Sequence, residues 1–359
     1  MITNMRRNIF LALGLFFAAG LAFTQQTITG GLTVATVKLG SSRPEVITQS
    51  KFRQQLQQQL AMLEAQTGQP VSIDELGGRE RSLDLQIGEI LINQAVTRDN
   101  VRVNDSELNE KVADYKAQAA PDVPDIQFQA IIQQRFGMGW DAWREALRKQ
   151  LVQEKYVRQK KQSYFTGMKD PTDAQVQEFY DENATRFTNP QIISFNQIFI
   201  STVNLSEAEK QLAKKRAEEA LGELRTSQFK DVVQKYTDDT TSRYKGGNAG
   251  YWPRTDMRRQ NILGKVFYDA LFALNLNQTS SVMESRMGYH IIQVTEKIPP
   301  KILALADLIF PGESITVREH IRGLLRAQNA QLTFQRALTD LVAELRKEAE
   351  VTIYKENLN

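Results

Sequence analysis

The segment EVTIYKE, at residues 350–356, places the strongest constraint on the fold of this chain. Its β-branched and aromatic residues indicate a β-strand, but a strand of this length is not stable without a partner. The segment LTVATVKL, at residues 32–39, shows the same alternating and β-branched pattern and is the natural partner. Their pairing would bring the C-terminal end of the sequence back onto its N-terminal part.

The region that follows the first strand pattern is dominated by helical spacing of its apolar residues. Phe52, Leu56 and Leu60 illustrate this spacing, which is typical of a helix with one apolar face. Similar patterns recur up to residue 168, separated by proline and glycine breaks. We therefore predict a largely helical N-terminal domain over residues 32–168.

Capping boxes mark several helix starts along the sequence. In this pattern a Ser, Thr or Asn is followed three residues later by Glu or Gln, and the two side chains bond free amides of the first helical turn. The pattern occurs at Asn104, Thr172, Ser206 and Thr316. The helix expected after Thr172, with the Asn189-Pro190 break behind it, predicts a connecting helix and linker over residues 169–190.

The order of predicted elements changes after residue 190. An apolar strand pattern comes first, then two helical patterns, a glycine-punctuated loop, a short helix and two strand patterns. This order is typical of a small α+β domain, which we place at residues 191–298. Residues 299–359 contain a long helical pattern and the terminal strand, and we expect this segment to pack on the N-terminal domain.

The first residues have the features of a secretory signal peptide. Arg6 and Arg7 precede an apolar run at residues 9–19, and small residues follow at 20–22. We therefore predict a signal peptide over residues 1–22 and a periplasmic location for the exported chain. Because the apolar run is only somewhat shorter than the roughly 20 residues that span a bilayer, a retained inner-membrane anchor facing the periplasm is the alternative.

The residue types of the chain exclude several kinds of chemistry. Without cysteine there is no disulfide, cysteine nucleophile or thiolate metal site, and two histidines are too few for a common structural zinc site. The net charge of +3 gives no indication of nucleic-acid binding. The glycine-rich loop lacks the lysine motif of nucleotide-binding loops. We therefore expect no cofactor, no metal, no nucleotide and no nucleic acid.

One of the two histidines, His290, lies in the apolar segment GYHII. This segment is the last of an ordered set of fragments: YTDD at 236–239, GGNAGYW at 246–252, Met257, FYDALFAL at 267–274 and GYHII at 288–292. The set resembles the parvulin type of peptidyl-prolyl isomerase domain. The flanking regions are similar to the N-terminal and C-terminal segments of SurA, and PrsA and PpiD share a related architecture. SurA carries two parvulin domains, whereas one is visible in this sequence.

The resemblance implies an α+β protein with two parts. The first part would be a helical, SurA-N-like chaperone domain that is completed by the C-terminal helix and strand. The second part would be a parvulin-like α+β domain inserted into the first.

The resemblance also implies a catalytic group in the parvulin-like domain. His290 takes the place of a family histidine in the central sheet, and Asp239 takes that of a cysteine or aspartate near the substrate carbonyl. A second family histidine, on the first strand, is replaced here by Gln197. An amide can hydrogen-bond to imidazole but cannot share a proton as a second imidazole does. The expected substrate-binding residues, which would hold the proline ring in an apolar cup, are Met257, Phe267 and Trp252.

Each of these residues also fits a structural role. A histidine inside an apolar run is often a core residue whose hydrogen bonds are satisfied. Asp239 is equally suited to cap the turn that follows it, and Met257 and Phe267 are equally suited to plain packing. Trp140 and Trp143 fit either a core or an apolar groove for bound chains.

Two alternative functions follow from these expectations. The first is an exported folding factor that binds unfolded or outer-membrane client proteins and has peptidyl-prolyl cis–trans isomerase activity. The second is an ATP-independent holdase chaperone, whose parvulin domain is inactive because Gln197 replaces the first family histidine. In both cases the expected partners are unfolded or nascent exported proteins, with outer-membrane β-barrels as clients. A retained signal segment would add membrane association.

Overall fold

The computed structural model of the protein describes residues 31–120 and 123–358. The predicted signal peptide at residues 1–22 lies outside the described residues. In the part of the chain that is described, no helix is both long and apolar enough to cross a membrane.

The described residues contain both helices and strands, and a run of helices separates the first two strands from the rest. The α-helices of the described residues are, in chain order, α1 (Gln49–Thr67), α2 (Gly78–Arg98), α3 (Asp105–Ala119), α4 (Asp125–Phe136), α5 (Trp140–Lys160), α6 (Gln162–Thr166), α7 (Asp173–Asn183), α8 (Glu207–Glu223), α9 (Phe229–Tyr236), α10 (Met257–Leu263), α11 (Lys265–Ala273) and α12 (Val317–Glu348). The strands are β1 (Thr33–Leu39), β2 (Glu45–Thr48), β3 (Thr188–Asn189), β4 (Ile192–Ser201), β5 (Asn248–Pro253), β6 (Met283–Ser285), β7 (Gly288–Ile298), β8 (Lys301–Ile302) and β9 (Ala349–Ile353).

The described residues form two compact units. The mixed unit comprises residues 171–325, and the helical unit comprises residues 31–170 together with 326–358. One unit is therefore a continuous stretch that interrupts the other in sequence, and the predicted α+β fold class is confirmed. The finer sequence-based boundaries, at residues 169–190 and after 298, remain predictions.

The helical unit contains a three-stranded antiparallel sheet in the order β2-β1-β9. Strand β9 pairs with β1 from Ala35, opposite Ile353, to Leu39, opposite Ala349. This pairing confirms the partner that was predicted for the segment EVTIYKE. Because β1 is the central strand, its Val37 is fully shielded from solvent.

The core of the helical unit forms where residues of α1, α2, α5 and the second half of α12 pack with this sheet. Leu83, Ile87 and Leu91 recur at helical spacing on α2 and are buried. The buried amide of Gln94 links α2 to β1, because its Oε1 accepts a hydrogen bond from the Leu39 amide at 2.7 Å. A polar side chain is tolerated in this core because its hydrogen bonds are satisfied.

Helices α3, α4 and α5 enclose a second cluster in the helical unit, which is rich in aromatic rings. Trp143 is buried in this cluster and stacks on Trp140, with ring centroids 5.2 Å apart. Phe128 contacts both rings edge-on. Both tryptophans therefore contribute to packing, in agreement with the core alternative of the sequence analysis.

The mixed unit is built on a four-stranded antiparallel sheet in the order β5-β4-β7-β6. The long strands β4 and β7 lie at its centre, and Phe199 is paired with His290 across them. Because side chains alternate along a strand, each central strand supplies both faces of the sheet.

The two faces of this sheet are covered by different helices. On the α8/α9 face, Ile198 and Ile291 pack with residues of α8 and α9. On the α11 face, Phe195 and Ile292 pack with Phe267 and other residues of α11. The mixed unit thus has two separate apolar layers, one on each side of the same pair of strands.

Candidate functional site

The predicted catalytic residues come from three segments of the mixed unit. Gln197 lies on β4 and His290 on β7, and both side chains project from the α11 face. Asp239 lies in the loop that follows α9. This loop is fastened to β4, because the Thr237 hydroxyl accepts a hydrogen bond from the Phe199 amide at 3.1 Å. The structure therefore brings together side chains that are far apart in the sequence.

A chain of hydrogen bonds joins the three side chains. His290 Nδ1 lies 3.2 Å from Gln197 Oε1, and Gln197 Nε2 donates to Asp239 Oδ2 at 3.4 Å. A carboxylate only accepts hydrogen bonds, so the amide turns its nitrogen to Asp239 and its oxygen to the imidazole. His290 therefore carries its proton on Nδ1 and donates it to Gln197.

Ser285 extends the chain at the other imidazole nitrogen. Its Oγ lies 2.8 Å from His290 Nε2, and because Nε2 carries no proton in this tautomer, the hydroxyl is the donor. The sequence analysis missed Ser285. The hairpin of β6 and β7, in which Ser285 is paired with Gly288, brings it to the ring. A tight turn directly before a buried histidine is the signal that could have found it.

Two glycines allow the backbone around this chain to approach closely. Gly288 has φ +150°, and a Cβ there would overlap the carbonyl oxygen of Ile200. Gly247 has φ +82°, and a Cβ would lie 2.5 Å from the carbonyl oxygen of Gln197. The backbone N–H of Gln197 also donates a hydrogen bond to the Gly247 carbonyl oxygen at 2.8 Å. Only glycine fits these positions, since other residues would be strained as well as obstructed.

His290 is held in its neutral form. The residue is 3% exposed, and burial lowers the pKa of its imidazole to about 3. The rings of Phe267 and Phe199 lie against it, with centroids 4.4 and 4.7 Å from that of the imidazole. Burial without a nearby countercharge disfavours the protonated ring. His290 therefore serves as a fixed hydrogen-bonding group at neutral pH.

Asp239 accepts hydrogen bonds from its own turn as well as from Gln197. The hydroxyls of Ser242 and Thr241 each donate to its carboxylate at 2.6 Å, and the Thr241 amide donates at 3.0 Å. Burial raises the pKa of the Asp239 carboxyl, but the hydrogen bonds from Ser242, Thr241 and Gln197 outweigh this effect and hold it below its usual value. Asp239 therefore caps its turn, and its charged carboxylate is also the last group of the hydrogen-bond chain.

The predicted substrate-binding residues are placed differently from one another. Phe267 is 3% exposed and packs against His290, and Trp252 is 9% exposed in the same apolar cluster. The Trp252 indole contacts Phe195 edge-on at 4.9 Å and donates its Nε1 hydrogen to a backbone carbonyl. Met257, at the start of α10, is 63% exposed and is not among the residues of this cluster. An apolar floor therefore lies beside the hydrogen-bond chain, and the exposed Met257 is not part of its buried cluster.

Arg259 is a further residue that the sequence analysis missed. Its guanidinium lies 4.6 Å from the centre of the Trp252 ring, as in a cation–π contact. Asp256, which caps the start of α10, holds this guanidinium in an ion pair at 2.8 Å. The charged pair covers the indole on the side that α10 forms.

The site offers side chains for binding and hydrogen bonding only. Among the described residues, no three or more histidine, aspartate or glutamate side chains are grouped so that they could hold a metal ion. The geometry supplies an apolar surface, one half-buried carboxylate and a neutral imidazole. These groups can hold a nonpolar ring and place a negative charge near it.

Two family models match this chain. Residues 182–298 match the PPIC-type peptidyl-prolyl isomerase (PPIase) domain, and residues 1–157 match the SurA-like N-terminal domain. The first match covers the whole candidate site, and the second covers most of the sequence before it. The chain therefore belongs to the SurA- and PrsA-like proteins that carry a single parvulin-type domain.

Individual relatives agree with this assignment. The foldase protein PrsA of Clostridium botulinum is 25% identical over 314 residues, which span 84% of this chain and 83% of the relative. The chaperone SurA of Methylobacillus flagellatus is 24% identical over 361 residues, which span 99% of this chain and 72% of the relative. Among solved structures, a SurA-like chaperone of Campylobacter jejuni is 20% identical and has a TM-score of 0.34, over 70% of this chain and 96% of that one.

Proposed function

We propose that this protein is an exported folding factor that binds unfolded client proteins, and that its PPIC-type domain catalyses cis–trans isomerisation of X–Pro bonds. The observation that carries the proposal is the continuous hydrogen-bond chain from Ser285 through His290 and Gln197 to Asp239. The His290 ring within this hydrogen-bond chain lies against Phe267 of the apolar floor. The matched family models and the names of the relatives support the same class of function.

The proposed catalysis acts on the resonance of the amide bond. The barrier to rotation reflects the double-bond character of C–N, in which the carbonyl oxygen carries negative charge. The fixed carboxylate of Asp239, placed near that oxygen, would oppose this charge and weaken the double bond. The apolar floor would hold the proline ring while the amide twists. No proton transfer is required, so the amide of Gln197 suffices to orient Asp239.

A second candidate is an ATP-independent holdase whose parvulin domain has lost catalysis. Two observations favour it. Gln197 cannot relay a proton between His290 and Asp239, since an amide does not titrate. Met257, the expected wall of the proline cup, is exposed and is not part of the buried cluster that contains Phe267. In this case the mixed unit would contribute binding surface only.

The clients we propose are outer-membrane β-barrel proteins in transit through the periplasm. The support is the predicted signal peptide at residues 1–22 and the relatives, one of which is named a chaperone and another a foldase. One solved structure concerns a virulence factor and a periplasmic protein that are described as SurA-like chaperones. Retention of the signal segment as an inner-membrane anchor is the alternative location.

Exchange NMR on a short X–Pro peptide tests the isomerase proposal with the full exported chain. We expect catalysed exchange with the wild type and a loss of about 100-fold with Asp239→Ala, which is typical of removing one electrostatic group. Asp231→Ala is the matched control, because Asp231 is exposed on α9 and makes no side-chain contact within the described residues. Exchange at the uncatalysed rate with the wild type would refute the isomerase and leave the holdase.

Aggregation of a denatured outer-membrane β-barrel protein tests the binding function. We expect both the wild type and Asp239→Ala to suppress light scattering, since binding does not depend on that carboxylate. Absence of suppression at a molar excess of the wild type would contradict the folding-factor proposal in both of its forms.

A further inference from the structure

The mixed unit carries a cavity of about 880 Å³ on the α8/α9 face of its sheet. Its floor contains Asn196 of β4 and Gln293 of β7, which are paired directly opposite each other. Asn196 is the neighbour of Gln197, so strand alternation directs the two side chains to opposite faces. The cavity is therefore separate from the candidate isomerase site.

Three cationic side chains line this cavity, each from a different segment. Arg225 follows α8, Lys230 lies in the first turn of α9, and Lys245 precedes the glycine-rich loop. All three are exposed, and within the described chain none of them makes a side-chain hydrogen bond or ion pair. No carboxylate is among the lining residues. Like charges around one cavity repel each other, and an anionic ligand would relieve this repulsion.

One acidic side chain close in sequence to Arg225 is already bound elsewhere. Glu223, two residues before Arg225, accepts hydrogen bonds from Lys235 at 2.6 Å and from the Tyr236 hydroxyl at 3.0 Å. These contacts hold the pKa of the Glu223 carboxyl below its usual value, and the hydrogen bond from Lys235 is the main cause. Glu223 is thus not available to Arg225, and the exposed Asp231, next to Lys230 in sequence, is not among the residues that line the cavity.

The two amides on the floor have unused hydrogen-bonding capacity. Asn196 and Gln293 are half-buried, and neither side chain has a hydrogen-bond partner among the described residues. Each primary amide offers two donors and an acceptor with two lone pairs. Such groups match the alternating N–H and C=O groups of an extended peptide.

The remaining lining residues favour a peptide over a small anion. Leu221, Leu224 and Phe229 add apolar surface, which inorganic phosphate would leave unused. The volume lies within the range of about 300–1,000 Å³ that is usual for ligand sites and exceeds what a single anion fills. We propose that this cavity binds an acidic, extended polypeptide segment, with carboxylates at the three cations and backbone groups at the two amides. The inference goes beyond the isomerase proposal, since it does not involve Asp239.

Fluorescence anisotropy with the full exported chain tests this inference. The probe is a short labelled peptide of alternating aspartate and leucine, and its counterpart has asparagine for every aspartate. We expect the acidic peptide to bind more tightly and to weaken as ionic strength rises from about 0.05 to about 0.5 M, because exposed charges are screened. Lys230→Gln/Lys245→Gln should weaken binding about fivefold, as expected for the loss of two exposed ion pairs.

The control variant Lys214→Gln/Lys215→Gln removes the same charge from exposed positions on α8, away from the cavity lining. It should change the affinity less than twofold, roughly the size of one weak exposed pair. Equal losses in both double variants, or equal affinity for the acidic and neutral peptides, would overturn the inference. Displacement of the peptide by inorganic phosphate at equal concentration, or tighter binding of a labelled oligonucleotide, would overturn it as well.

Discussion

Gln197 and Asn196 are neighbours in sequence and carry the same functional group, yet their surroundings are opposite. Gln197 is 9% exposed, and both ends of its amide are hydrogen-bonded, to His290 and Asp239. Asn196 is half-buried on the floor of an open cavity and has no such partner in the described chain. On the α11 face, the Gln197 amide therefore holds His290 and Asp239 in place. On the α8/α9 face, the Asn196 amide is available to bind a ligand.

The contrast shows how one pair of strands can serve two purposes. On the α11 face, aromatic rings lie against His290, and the hydrogen bonds of His290 and Gln197 lead to a charged carboxylate. On the α8/α9 face, the apolar layer includes Ile198 and Ile291 but does not include Asn196 and Gln293, which line the cavity together with the three cations. Burial makes the first arrangement rigid, whereas exposure leaves the second one open to exchange of ligands.

The largest effect is expected at Gly288, where β7 lies close to β4. Gly288→Ala would place a methyl group into the carbonyl oxygen of Ile200 and force a strained φ. We expect a loss of about 3 kcal/mol or more in the free energy of unfolding, from strain and overlap together. Urea denaturation measures this loss. Gly222→Ala is the control, since nothing lies within 4 Å of the added methyl group and α8 should be unaffected or slightly stabilised. If Gly288→Ala destabilises the protein no more than Gly222→Ala does, β4 and β7 can move apart at Gly288 without loss of stability.

The next test separates the two faces directly. Gln197→Leu leaves the His290 Nδ1 hydrogen buried without an acceptor, so we expect a loss of about 2 kcal/mol in the free energy of unfolding. Asn196→Leu removes no internal hydrogen bond and should change stability by less than about 0.5 kcal/mol. The same urea titrations measure both. If Asn196→Leu destabilises as strongly as Gln197→Leu, the distinction between the two faces fails.

Much of the fold could be predicted because its signals are local. The capping boxes at Asn104, Thr172 and Ser206 are present with both of their hydrogen bonds. The pairing of the two terminal strands followed from the instability of a lone strand, and the structure confirms it. In each case a short stretch of sequence contained the physical reason for the structure.

The parts that sequence could not supply depend on register and exposure. Helix α10 was missed because Met257 and Ile262 are exposed, so no apolar face marks it. The sequence pattern did not give the bounds of β6, which lies at Met283–Ser285, and this position brings Ser285 to His290. The opposition of Asn196 to Gln293 was equally hidden, since an extra residue in β7, opposite Ser194 and Phe195, shifts the register there.

Between pH 7 and pH 5.5, the enclosed face should be acid-sensitive through His290. The pKa of His290 is lowered by burial to about 3, whereas an unfolded histidine titrates near 6.5. The neutral imidazole therefore contributes stability above pH 6.5, and this contribution is lost progressively as the pH falls towards 3. Between pH 7 and pH 5.5 we expect the free energy of unfolding to fall by about 1.3 kcal/mol more in the wild type than in His290→Gln. Equal pH dependence in urea titrations of the two proteins would contradict a buried, neutral His290.

The smallest effect concerns the far end of the hydrogen-bond chain. Ser285→Ala removes the donor to His290 Nε2, and we expect a loss of about 1 kcal/mol, as for one partly buried hydrogen bond. Ser281→Ala, on an exposed serine that lines the cavity of the other face, should be neutral in the same urea titration. Nitrogen NMR of the imidazole adds a readout that a purely packing role would not move. The Nε2 resonance should shift on loss of its donor, while Nδ1 stays protonated because Gln197 still accepts from it. A switch of the proton to Nε2 in this variant would show that Ser285, and not the Gln197–Asp239 pair, sets the tautomer.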